Sequence, residues 1–380
     1  MQIQQLNNTD DVKKNLKALG VDSGGISILA SKTKYYRILI KDLAVGGANI
    51  LKQDALSVGA DLAVPRGTVI AATPKVDCIL IATKRELQKL AKKELSQPFG
   101  LKEVAAFLQK IVAQQDKKPT RIMGVLNAND DSFYAQSRFS AKGALAKIEQ
   151  MIEDGADIID IGGVSSRPNA PVVSVEEELS RVEEIYALIE KEKLYQKALF
   201  SCDSYEPLVI QKALDSGFGM VNDITGLQND LVAQLCYGYS ASVVIMHMQN
   251  TPQTMQNNPH YNDVIADIYQ FLAQQIEKAK SFGIADIIVD VGIGFGKTLE
   301  NNLHLIKHLE HFRNLECEIL VGVSRKSMID MISPSEVSQR LAGTLALHLE
   351  AIRNGASIVR VHDVYEHKQA LQVHEALQAI

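Results

Sequence analysis

Three polar side chains, Asp203, Asn222 and Asp290, stand where three separate apolar runs stop. A carboxylate accepts two parallel N–H bonds, and an amide both donates and accepts. Together they suit the edge of a pterin- or guanine-like ring, with its amino group and ring N–H. Singly, each would more often cap a helix. Two basic groupings add an anion site. In GVSRKS (322–327), Ser324, Arg325 and Lys326 end one apolar run and open a helix, where backbone N–H groups and cations favour negative charge. In IVRVHD (358–363), Arg360 and His362 lie two apart, so both point to one side of a strand.

Other motifs lead elsewhere. DVGIGFGKT (290–298) carries Gly-Lys-Thr after an apolar run, but the first glycine of a P-loop would fall on Val291. The glycines at 292, 294 and 296 also miss the dinucleotide fingerprint. A flexible backbone close to a ligand remains, with Phe295 able to pack on a flat ring. His247 and His260 lack zinc spacing, and His304, His308, His311, His348, His367 and His374 fall in polar helical stretches that read as surface. The cysteines at 78, 202, 236 and 317 form no C-x-x-C pair and are expected to be buried or free thiols, fitting a reducing cytoplasm.

These residues need a frame, and residues 121–363 supply one. RIMGVLN, DIIDIGG, ALFSCDS, GMVNDIT, SVVIMHM, DIIVDVG, EILVGVS and SIVRVHD are eight apolar runs separated by amphipathic helical stretches. Near-continuous apolar runs suit parallel strands buried on both faces. DGAD (154–157), SGFG (216–219) and NGAS (354–357) place a glycine at a helix C-cap before the next strand. Eight units over residues 119–380 predict an α/β fold, a (β/α)8 TIM barrel of the usual ~250 residues. Such barrels place chemistry at the C-terminal ends of their strands, where the polar residues recur. Residues 1–118 read as a small N-terminal α/β domain. It has a strand hairpin in 25–43, a helix in 45–59, a strand at 77–83, and helices at 85–95 and 101–113. A polar linker, 114–120, follows.

A hydrophobic share of 46% and a charged share of 22% describe a globular chain. Its net charge of −5 argues against a bulk nucleic-acid binder. No apolar stretch reaches the ~20 residues of a membrane span, and the N-terminus has no signal-peptide core. A cytoplasmic protein is expected, with no nucleic-acid or membrane partner.

Nine segments in order resemble the dihydropteroate synthases: MGVLNANDDSF, DIIDIGGVSSRPNA, SCDS, NDITGL, MHMQNTP, DVGIGFGKT, GVSRKS, RLAGTLA and IVRVHD. The resemblance spans Arg121 to the C-terminus and implies a (β/α)8 barrel of folate biosynthesis. That enzyme joins 6-hydroxymethyl-7,8-dihydropterin diphosphate to 4-aminobenzoate, releases pyrophosphate, and is the sulfonamide target. The resemblance implies that Asn127 helps hold Mg2+ on the diphosphate. Asp203, Asn222, Asp290 and Lys326 would read the pterin, with Met246 and Phe295 against its ring and Gly322 beside it. Arg360 and His362, with Asn127, would bind the diphosphate, and Arg360 would also lie over the pterin. Ser166, Arg167 and Pro168 match a second mobile loop and, with Phe133 of the first loop and Ser324, the aminobenzoate site. A homodimer is the expected assembly.

The chain departs from the family in its loops. The first usually reads N-V-T-P-D-S-F-S-D-G-G and here reads NANDDSFYAQS (127–137). G-G-E-S-T-R-P-G becomes GGVSSRPN, and D-P-G becomes DVG. Loss of diphosphate beside a conjugated dihydropterin leaves a delocalised cation, so an SN1-like path is expected. Lys326 and Arg360 would act with Asp130 or Asp131, which would replace the family's second loop carboxylate. The alternatives are a pterin- or methyl-folate-binding barrel without synthase activity, and a nucleotide hydrolase using Gly-Lys-Thr.

Overall fold

The computed structural model describes residues 1, 3, 4, 6, 11–114, 118–128, 141–165 and 173–378. The chain divides into two compact units, residues 1–116 with 375–380, and residues 117–374.

The N-terminal unit holds an antiparallel sheet of β1 (Tyr35–Ala44), β2 (Asp61–Ala63) and β3 (Lys75–Thr83), in the order β1-β3-β2. Its buried face packs Leu80 and Ile38 against Leu51, Leu87, Leu90 and Leu108 of the helices Val45–Val58, Lys84–Glu94 and Leu101–Ala113. Thr83 ends β3 and caps the following helix in a capping box with Glu86. The hairpin expected in 25–43 is not formed. Ser23–Ala30 is helical, and β1 pairs instead with β3, Leu39 opposite Ile79. The short apolar run ISILA has no distinguishing period, so it reads equally as strand or helix.

The second unit is a closed parallel barrel. Its strands are β4 (Arg121–Asn127), β5 (Ile158–Gly162), β6 (Leu199–Asp203), β7 (Met220–Asp223), β8 (Ser242–Met246), β9 (Ile287–Asp290), β10 (Glu318–Val321) and β11 (Ile358–Val361). Each pairs with its sequence neighbour, and β11 closes on β4. Every one of the eight apolar runs supplies one strand. Gly155, Gly217 and Gly355 take positive φ of 98°, 92° and 114° as helices give way to strands.

Strand alternation decides what faces inward. Ile159, Ile161, Val221, Val289 and Val359 join the core beneath the surrounding helices. The alternate positions Met123, Ile158, Met220, Val244, Ile288, Leu320 and Ile358, with Leu199 packed against them, fill the barrel floor, one side chain per strand. Each buried side chain of this size contributes roughly 1.5–3 kcal/mol. Two residues further along, the same alternation brings Val125, Asp160, Ser201, Asn222, Met246, Asp290, Gly322 and Arg360 to the inner face. An apolar plug therefore lies directly beneath a polar layer. No described helix is long and apolar enough to cross a membrane.

Candidate active site

Four polar side chains from four strands meet here, Asp160, Asn222 and Arg360 in this layer and Asp203 just above it. Arg360 Nε donates to Asp160 Oδ2 at 2.7 Å, and Nη2 donates to Asp203 Oδ2 at 2.5 Å. Asn222 Nδ2 donates to the same Asp160 oxygen at 3.1 Å. Asp160 has no exposed surface and Asn222 only 5%. Burial works against the Arg360 charge, but Asp160 and Asp203 hold it and set its pKa above the ordinary arginine value. Burial pushes the Asp203 carboxyl up to about 7, against the opposing pull of Arg360. Asp203 is thus a carboxylate close to its titration point.

The opposite side of the mouth is built from β9 and β10. Burial raises the Asp290 pKa, while Lys326, the Gly292 N–H and Lys297 favour its ionised form. Gly292 N–H donates to Asp290 Oδ1 at 2.7 Å. Lys326 Nζ donates to the Ile293 carbonyl and lies 4.5 Å from the centre of the Phe295 ring, a cation–π placement. Burial lowers the Lys326 pKa to about 8, opposed by Asp290. Met246, 3% exposed, stands beside Asp290 in the β8–β9 register.

The Gly-Lys-Thr segment has a structural task. Lys297 is 3% exposed and turns inward. Its Nζ meets the carbonyls of Phe295 at 2.9 Å and His247 at 3.2 Å, and His247 Nδ1 at 3.1 Å. Burial pushes the Lys297 pKa well below the ordinary lysine value, and an amine turned onto these three acceptors is not placed to cradle a phosphate. The lysine binds the β9 loop to the end of β8. Gly292 makes that approach possible: at φ +68°, an added Cβ would lie 1.9 Å from the His247 carbonyl oxygen.

The anion side joins the ends of β10 and β11. Ser324 Oγ and His362 Nδ1 are 2.8 Å apart, and the His362 N–H donates to the same hydroxyl at 3.3 Å. Arg325, expected to face an anion, instead forms a two-pronged ion pair with Asp363. Its backbone N–H donates to Thr344 Oγ1 at 3.0 Å, which fixes the loop carrying Lys326. Gly322 lies beside Arg360, where an added Cβ would make only an ordinary contact, 3.6 Å from Arg360 Cβ.

Of the residues singled out in the sequence, Asp203, Asn222, Met246, Asp290, Gly322 and Arg360 lie in or just above the inner layer, and Asn127 ends β4. Phe295, Ser324, Lys326 and His362 sit on the loops that follow β9, β10 and β11. Asp130, Asp131, Phe133, Ser166, Arg167 and Pro168 lie outside the described residues. Sequence reading missed Asp160, which sits mid-run, although it shares strand parity with Ile158 of the floor. It also misplaced two histidines. His348 and His367 are 1% and 2% exposed and bonded to each other at 2.8 Å, with the Val323 N–H donating to His348 Nε2. Each lies on the inward face of an amphipathic helix, a parity that the polar neighbours concealed. Cys78, Cys202 and Cys236 are buried free thiols, and Cys317 is half-buried.

Comparison with known proteins agrees with this geometry. A profile described as pterin binding enzyme matches residues 123–362. The bifunctional dihydropteroate synthase/dihydropteroate reductase of Helicobacter pylori is 40% identical over 371 residues, 98% of either chain. The Yersinia pestis dihydropteroate synthase, solved with a sulfonamide drug, is 36% identical with a TM-score of 0.65, covering 70% of this chain and 97% of that one. The Xanthomonas albilineans dihydropteroate synthase in complex with 7,8-dihydropteroate is 34% identical with a TM-score of 0.62, covering 70% and 96%. The chain belongs to the pterin-binding enzyme family, among the dihydropteroate synthases, the transferases of folate biosynthesis.

Proposed function

We propose that the inner layer condenses 6-hydroxymethyl-7,8-dihydropterin diphosphate with 4-aminobenzoate, giving 7,8-dihydropteroate and pyrophosphate. The observation that carries this reading is the inward polar set Asp160, Asn222, Asp290 and Arg360, seated directly on an apolar floor. Asp203, Asn222 and Asp290 supply acceptors for the amino and ring N–H groups of the pterin. Met246 and Phe295 pack on its faces, and Lys326 meets its carbonyl edge. Arg360 and His362 receive the diphosphate. The Arg-x-His pair and the Ser-Arg-Lys loop favour a synthase over a barrel that only binds a pterin.

Cleavage of the C–O bond leaves negative charge on the diphosphate and positive charge on the pterin. Arg360 and His362 stabilise the first, Asp203 and Asp290 the second. The aryl amine of 4-aminobenzoate is neutral and attacks the CH2 without a strong general base. Phe133, Ser166, Arg167, Pro168 and Ser324 are the proposed aminobenzoate contacts.

The donor set fits a magnesium ion carried by the substrate. Among the described residues no three His, Cys, Asp or Glu side chains group as a metal site. Asn127 offers a single hard oxygen at the end of β4. Mg2+ commonly takes one or two protein oxygens and completes its shell with phosphate and water. Bound there, it would neutralise developing charge on the diphosphate.

We assign catalysis to residues 119–380 and propose a homodimer in the cytoplasm. Likeness to the Helicobacter pylori protein runs through the N-terminal unit as well. It favours a second activity, reduction of dihydropteroate, which requires an added two-electron donor. Oxidation of reduced nicotinamide, with and without added flavin, dependent on dihydropteroate would establish it.

The test of the main reading is Arg360→Ala. Pyrophosphate should bind at least tenfold more weakly while the circular dichroism spectrum is unchanged. Wild-type pyrophosphate affinity would remove Arg360 from the diphosphate site.

A further inference from the structure

Asp160 is the most buried charged group of the layer, and no role assigned so far uses it. It has no exposed surface. One oxygen, Oδ2, accepts from both Asn222 Nδ2 and Arg360 Nε, while Oδ1 has no hydrogen-bond partner. These two bonds constrain more than position. An Asn side chain offers a donor at one end and an acceptor at the other. Which end faces a ligand is set by the bonds that the amide already makes. With one Nδ2 hydrogen given to Asp160, the amide cannot flip, so Oδ1 stays on the side away from Asp160, with the second N–H beside it. Arg360 is fixed likewise: Nε goes to Asp160 and one Nη2 hydrogen to Asp203, leaving both Nη1 hydrogens and the second on Nη2 for an anion.

We propose that Asp160 is a positioning and specificity-determining residue, whose shared oxygen fixes the Asn222 amide with Oδ1 toward the ligand and holds Arg360 in the orientation that receives the diphosphate. Asn222 then selects a ring edge that carries an N–H donor, such as the amino group of a pterin. It disfavours a lumazine, where that amino group is replaced by a carbonyl oxygen. The inference rests on the proposal that Asn222 and Arg360 face pterin and diphosphate. Asp160 acts through these two residues and touches no reacting atom.

Two substitutions separate positioning from charge. In Asp160→Asn, an amide oxygen in place of Oδ2 still accepts from both partners. In Asp160→Leu, both donors lose their acceptor and the Asn222 amide is free to turn. The full-length chain is titrated by calorimetry with 6-hydroxymethylpterin, with 6-hydroxymethyllumazine and with pyrophosphate. Asp160→Asn should keep the wild-type preference for the pterin and bind pyrophosphate within threefold of wild type. Asp160→Leu should lower the pterin-to-lumazine preference at least threefold and weaken pyrophosphate at least tenfold. An unchanged preference in Asp160→Leu would overturn the inference. So would an equal loss in Asp160→Asn, which would make the charge itself the contact. Should Asp160→Leu fail to fold, Asp160→Ala, which removes the same acceptor without added bulk, takes its place with the same expected and contrary results. Asn222→Ala distinguishes the two levels. If it loses pterin binding while Asp160→Leu keeps the wild-type preference, only this inference fails. If it binds pterin as wild type does, the site assignment fails too.

Discussion

Asp203 accepts a 2.5 Å hydrogen bond from Arg360 although the two are 157 residues apart in sequence. They meet because β6 and β11 belong to one closed barrel and the Arg360 guanidinium reaches from the layer of Ser201 to Asp203, two residues further along β6. A carboxylate held beside a guanidinium, with a free oxygen above an apolar floor, suits a neutral ring bearing N–H donors. The same guanidinium keeps its remaining N–H donors, including both on Nη1, for an anion. Under the proposed assignment, ring and diphosphate recognition are therefore mechanically joined.

Asp203→Asn and Asp290→Asn should each weaken binding of a pterin analogue. Each removes a charged acceptor, worth roughly 1.5–3 kcal/mol per charge-assisted bond, or about 10- to 150-fold. Calorimetry on the purified variants measures it. Wild-type affinity in both would place the pterin elsewhere.

The pH dependence follows from two groups. Burial holds Asp203 up at about 7, so it is ionised above that value and loses its charge as pH falls through it. Burial brings Lys326 down to about 8, so it is charged below that value and loses its proton as pH rises through it. Pterin recognition needs both charges, and kcat/KM should peak between pH 7 and 8 and fall on both sides. Lys326→Arg should move the alkaline limb upward. A limb that stays in place would assign it to another group.

Gly292→Ala should damage the β8–β9 junction. Its φ of +68° disfavours a side chain, and the new Cβ would collide with the His247 carbonyl. A loss of at least about 2 kcal/mol in urea unfolding is expected, with weaker pterin binding because Asp290 accepts the Gly292 N–H. A loss under about 0.5 kcal/mol, the level of an ordinary surface substitution, would show that the loop relaxes freely.

Asp130 and Asp131, which lie outside the described residues, are proposed to stabilise the pterin cation. Closing a loop over a reactive cation excludes water. Asn substitution at one of these positions should slow C–O cleavage at least tenfold, about 1.4 kcal/mol of barrier, in single-turnover assays. If neither variant is slowed, the acids only shape a turn.

Most of the barrel was legible because eight apolar runs each had one possible use as a buried parallel strand. The ends of those runs revealed Asp203, Asn222, Asp290 and Arg360. Asp160 was hidden because it lies inside its run, where only parity with Ile158 distinguishes inward from outward. The spacing of DVGIGFGKT already excludes a phosphate loop at Val291, but the inward turn of Lys297 depends on the His247 and Phe295 carbonyls, which no local pattern records. The helix Ser23–Ala30 was read as strand because its apolar residues are too few to define a period.

The most direct measurement is formation of labelled dihydropteroate by the purified chain, supplied with Mg2+, the dihydropterin diphosphate and labelled 4-aminobenzoate. The wild type should form it with one pyrophosphate released per label joined. Asp290→Asn and Arg360→Ala should each fall at least tenfold in kcat/KM while remaining folded. Product formed at the wild-type rate by both variants, or none formed by the wild type, would contradict the assignment of this chemistry to the inner layer of the barrel.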